Sequence, residues 1–202
     1  MADFGQDLQK YRRQMDAGFR NLSFPPAMEA EYTSQYLERN IAKQRTALWV
    51  AAVLMLLLIP FDFSVLSGKP QDFYSLLRIG IVLPLLAVSY VCTYITIFQK
   101  RFQTLAFGMV LFIGLSTNLC VAYANEHGQQ LPYEGLILVI FVGFLLAGMG
   151  FRLSLACACL LFLSYCLLAI FYMPTHAMLM HELIFIFGSC LVGGAAAYTL
   201  EY

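Results

Sequence analysis

Charge is what this sequence uses least. Asp, Glu, Lys and Arg make up 12% of its 202 residues against 60% hydrophobic ones, and the two signs cancel to a formal net charge of +0. A soluble domain carries roughly twice that charged fraction, about 25%. The mean hydropathy of +0.72 moves the chain further from the soluble class. With no basic excess, nucleic acid is not an expected partner. Catalytic equipment is equally scarce: there is no phosphate-cradling glycine loop, no catalytic triad and no nucleophile motif, so the chain is not read as an enzyme and no cofactor is expected.

Histidine occurs three times, as His127, His176 and His181. All three fall in loops or at span ends, which disfavours a bis-histidine haem at membrane depth. His176 and His181 are neither three nor four residues apart, so they make no helical ligand pair, and no metal site is expected. Titration near neutral pH keeps pH sensing open. The six cysteines (Cys92, Cys120, Cys157, Cys159, Cys166, Cys190) lie inside apolar stretches and read as packing residues.

What is abundant is uninterrupted apolar sequence. Six runs cover residues 47–66, 76–98, 104–123, 133–150, 153–173 and 183–200. Each approximates the ~20 residues an α-helix needs to cross hydrocarbon. Backbone amides in lipid must be satisfied within their own segment, which selects helices over an open sheet. The expected fold is therefore an all-α membrane protein, a six-transmembrane-helix bundle over residues 47–202, preceded by a cytoplasmic helical segment, residues 1–46.

The few cations are unevenly placed. Seven of the 12 Lys and Arg precede the first run, Lys100 and Arg101 lie between the second and third, and Arg152 lies between the fourth and fifth. Short Lys/Arg-rich segments stay cytoplasmic, so both termini are expected inside. More than forty polar-rich residues precede the first run, so no cleavable signal peptide is expected and the first helix is expected to be retained.

Within the N-terminal segment, Phe4, Leu8, Tyr11, Met15, Phe19 and Leu22 form one apolar stripe flanked by Lys10, Arg12, Arg13 and Arg20. Such an amphipathic helix suits the anionic membrane surface or a partner helix. Pro25 and Pro26 end it, Ser23 is a suitable N-cap, and a second helix is predicted to start near Pro25 and run unbroken into the first span. Pro60 is expected to end that span, and Pro84 to kink the second.

Ionisable groups within hydrocarbon cost about 2.5–3.5 kcal/mol on insertion scales, so each needs a reason. Asp62 stands at the outer end of span one and Arg78 a turn inside span two. An antiparallel hairpin would bring them together, as an interfacial lock or as the floor of an outward-facing pocket for an anionic ligand. Tyr123, Glu134 and His181 are further candidates for that ligand site. In span six, Ser189, Gly193 and Ala197 are small residues four apart, a pattern for close packing within the chain or for dimerisation. The sequence ends in a helical pattern without a Gly or Pro stop and reads as continuing.

Several short segments share a pattern: 22–32 (LSFPPAMEAEY), Arg45, Phe61-Asp62, Arg78 with Pro84, 133–139 (YEGLILV), Phe151-Arg152 and 197–202 (AYTLEY). Together they resemble the six-helix membrane domain that bacteria place before cytoplasmic GGDEF diguanylate cyclases and class III adenylate cyclases. The resemblance implies a receptor or regulatory domain in the bacterial inner membrane. It also implies a homodimer, an unidentified small-molecule or lipid ligand, and a last helix leading into a signalling helix and cyclase. A passive dimerising anchor and a small transporter or channel are the alternatives. The resemblance begins at Leu22 and leaves the first twenty or so residues outside it.

Overall fold

The computed structural model describes residues 26–99, 101–129, 131, 133–172 and 176–201. The N-terminal amphipathic stripe and the Ser23 cap lie outside the described residues. Described residues fold into helices joined by short turns, with no strand among them. Helix α1 is Pro26–Val65. It starts where the proline pair predicts, because proline's missing N–H costs nothing in a first turn.

Pro60 does not end α1. The helix continues five residues beyond it to Val65, so Asp62 sits in the last helical turns. Proline removes one backbone bond, and a helix already committed over many turns tolerates that loss when its neighbours support it.

Helix α2 is Lys69–Cys92, entered through Gly68, whose φ of 65° is readily accessible to glycine. It starts seven residues before the predicted span. The polar stretch from Lys69 masked its first turns from a hydropathy reading, whereas Pro70 marks the start. Within α2, Leu76–Val82 is a π-helical segment, with the Leu83 N–H donating to the Arg78 carbonyl. Pro84 follows at once. Its missing N–H removes a backbone bond from the preceding turn, where the helix widens to π spacing.

Helix α3, Phe102–Glu126, is the centre of the bundle and has the longest sequence of inward-facing residues. It packs against the start of α2, against α4 (Glu134–Leu146) and most extensively against α5 (Phe151–Tyr172). Helix α6, His176–Glu201, closes against α4 and α5.

Five helical stretches are long and apolar enough to cross a membrane: Ile41–Val65, Lys69–Cys92, Phe102–Glu126, Phe151–Tyr172 and Leu179–Thr199. The fourth predicted run behaves differently. Its helix stops at Leu146, because Gly148 adopts φ 66° and turns the chain. Rising about 1.5 Å per residue, α4 falls well short of the ~30 Å hydrocarbon thickness.

The burial pattern is that of a protein in an apolar solvent. Tyr165, Leu161, Leu136 and Ile186 are sealed inside, yet Ile170, Phe171 and Leu57 are mostly exposed. In water such an outer surface would be a severe liability; in lipid it is the solvent-matched face. Among the cysteines, Cys120 and Cys157 are buried packing residues, whereas Cys159 faces outward.

Candidate functional site

The α1–α2 hairpin places Asp62 and Arg78 side by side. One guanidinium nitrogen, Nη1, donates to Asp62 Oδ2 at 2.7 Å. The residues of this pair are only 4% and 7% exposed. Beneath it lies Tyr74, one turn earlier on α2, its ring centroid 4.2 Å from the Arg78 Cζ. The buried Tyr74 ring thereby covers one face of the guanidinium and fixes its plane.

Arg78 also belongs to the π-helical segment, where the local backbone is less constrained than in a regular α-turn. Arg78 lines a cavity of about 40 Å³ between α1, α3 and α4, with Leu54, Leu58, Ile113, Leu138 and Val142 among the other walls. That volume is far below the ~300 Å³ of a ligand pocket. A ligand that reached Arg78 here would have to replace Asp62 and part α1 from α4.

The remaining candidates divide into two groups. Tyr123 packs between Phe73 (centroids 4.7 Å) and His127 (4.4 Å), tying the C-terminal end of α3 to α2. Glu134 is exposed in the first turn of α4. His181 is exposed on α6, its Nδ1 3.4 Å from the Tyr133 hydroxyl and its ring 4.5 Å from Phe185. Beside it is a contact that the sequence did not single out: the buried Tyr165 hydroxyl of α5 donates to the Glu182 carboxylate of α6. The structure thus joins Asp62 to Arg78 directly, and gathers Tyr133, His181, Glu182 and Tyr165 around α6.

Polar side chains deeper in the bundle serve packing. Asn118 donates through Nδ2 to the Leu161 carbonyl at 3.1 Å and to Ser164 Oγ at 2.6 Å, locking α3 to α5. Ser154 donates to the Gly143 carbonyl at 3.2 Å, beside the π-helical end of α4.

The small stripe of α6 is used within the chain. A Cβ on Gly193 would meet the Phe144 ring at 2.6 Å, and Ala197 is buried as well, while the Ser189 hydroxyl bonds back to the Phe185 carbonyl. Close approach at Gly193 is therefore spent on Phe144. Comparison with protein-family models and with curated protein sequences gives no match.

Proposed function

We propose that the chain is the membrane regulatory domain of a bacterial nucleotide cyclase. In this reading it has six membrane segments, both ends in the cytoplasm, and a homodimeric working unit. A ligand or a membrane property acting near the outer helix ends shifts the packing of α1 and α2, and the last helix passes that shift to an output domain.

The observation that carries the reading is the Asp62–Arg78 pair, sealed beneath the outer end of the hairpin beside a small unfilled cavity. A desolvated ion pair next to free volume has two physical states: closed on itself, or opened with Arg78 facing a competing acceptor. A ligand moves that equilibrium only by its difference in affinity for the two states. The deep polar donors favour this over a transporter, since the Asn118 amide nitrogen and the Ser164 and Ser154 hydroxyls are engaged with one another or with helix carbonyls.

The test is to place residues 1–202 before a cyclase catalytic domain and measure cyclic nucleotide output in cells. Arg78→Ala should abolish stimulus-dependent output while leaving membrane insertion intact. Unchanged regulation in that variant refutes the switch. Retained regulation after exchange of the whole domain for an unrelated dimeric anchor would support the passive-anchor reading instead.

A further inference from the structure

At the opposite end of the α1–α2 hairpin from Asp62, the two helices separate into an apolar groove of about 330 Å³. Leu48 and Leu86 are buried in it, Ala52 and Ala87 leave it wide, and Trp49 and Tyr90 flank it. Trp49 is 59% exposed, and its ring meets Tyr90 edge-on at 5.8 Å. One turn further, Tyr90 and Tyr94 join hydroxyls at 3.0 Å. Tryptophan and tyrosine at one end of a membrane helix mark the headgroup level.

Arg45 stands at that level. Its Nε donates to Thr93 Oγ1 at 3.0 Å and one terminal nitrogen to the Thr93 carbonyl at 3.1 Å, and its Cζ lies 3.9 Å from the Tyr94 ring centroid. This contact also satisfies a carbonyl at the end of α2, where backbone acceptors have no helical partner. Two of the five guanidinium N–H donors are spent on Thr93. The planar group is thus held rigid, one edge inward, with the rest of its fork available.

We infer that the groove is a phospholipid site, with an acyl chain between α1 and α2 and an anionic headgroup on the free edge of Arg45. The occupant follows from the surroundings and the charge. A groove open to hydrocarbon is filled by a lipid chain, but the chain gains little there, since lipid tails are as apolar as leucine. Selectivity must come from the headgroup, where a prepositioned guanidinium takes a phosphodiester through two parallel bonds. An anionic lipid keeps its net charge, whereas a zwitterionic one carries an ammonium that Arg45 repels.

The protein carries its own reporter, because Trp49 is the single tryptophan of the sequence. The purified chain is reconstituted in phosphatidylcholine vesicles with an equal mole fraction of either dibrominated phosphatidylglycerol or dibrominated phosphatidylcholine. Trp49 quenching should show about fivefold enrichment of the anionic lipid, the weight of one interfacial cation. Arg45→Gln should erase the excess, and Arg45→Lys, which keeps the charge and loses the fork, should retain less than half of it. Lys43→Gln removes an exposed cation two residues away and should leave the excess intact. Equal quenching by the two lipids in the wild-type protein overturns the proposal without recourse to any variant. Equal losses in Lys43→Gln and Arg45→Gln overturn it too, because the effect would then be general surface charge.

Discussion

Removing one partner of the Asp62–Arg78 pair should cost far more than removing both. At 2.7 Å between Nη1 and Oδ2 the pair is in direct contact and sealed from solvent. With charge centres roughly 4 Å apart and an effective dielectric near 20, the attraction is about 4 kcal/mol. Asp62→Asn leaves a buried guanidinium with a neutral partner, and Arg78→Met leaves a buried carboxylate with none; each should destabilise by about 3–5 kcal/mol. The double variant removes both charges and fills the space with a side chain of similar length, so its loss should be smaller than either single loss. For a chain of this size each single variant should melt about 10 °C lower, at roughly 2–4 °C per kcal/mol. Melting in detergent can be followed with a thiol-reactive dye, since Cys120 and Cys157 are 4% and 1% exposed and become reactive on unfolding. A double variant whose loss equals the sum of the two singles would refute the pairing energy argued here.

Two further outcomes follow from close packing. A Cβ on Gly114 would lie 2.4 Å from the Leu161 Cδ2, and Leu161 is 0% exposed with no room to turn away, so Gly114→Ala should cost about 1–3 kcal/mol in the same melting assay. On α6, Gly193→Leu should lower protomer stability by overpacking Phe144; if the working dimer joins through this helix, its seam is the outward face with Leu191, Ala195 and Tyr198. Leu191→Ser should then weaken association in a bacterial two-hybrid assay without lowering the melting temperature, and the reverse pattern would refute that assignment.

The parts legible in the sequence were those set by local chemistry. Pro25 and Pro26 announced the start of α1, and the absence of Gly and Pro from 27–59 announced its continuity, though not its end beyond Pro60. The Asp62–Arg78 contact was legible because a short hairpin joins two charges that have almost no other ionisable neighbours. The end of α4 was harder to see. Gly148 looked like one more small residue in an apolar run, and nothing in hydropathy distinguishes a packing glycine from one at φ 66°. The Tyr165–Glu182 bond was hidden for a different reason. Helices α5 and α6 are apolar nearly all round, so periodicity does not say which face turns inward. In such helices large apolar residues stand on both faces, Leu161 and Ile186 inside and Phe171 and Leu163 outside, so side-chain type alone does not mark the core.

Apolar residues on both faces leave the helix seams to be compared contact by contact. Without a hydrophobic force between helices in lipid, neighbours are held by fit and by polar contacts. The α3–α5 seam has both, with Leu161 seated over Gly114 and Asn118 bonded across. At α4–α6, Phe144 fills the space over Gly193. The α1–α2 hairpin is clamped at one end by Asp62–Arg78 and at the other by Arg45–Thr93. Between α1 and α4 the walls are apolar and line a gap of about 40 Å³. Side chains lining such a gap make fewer dispersion contacts across it, so parting them costs less than parting the α3–α5 seam. Arg78 lines this cavity, so a change in what it pairs with would be felt at a seam held less tightly than α3–α5.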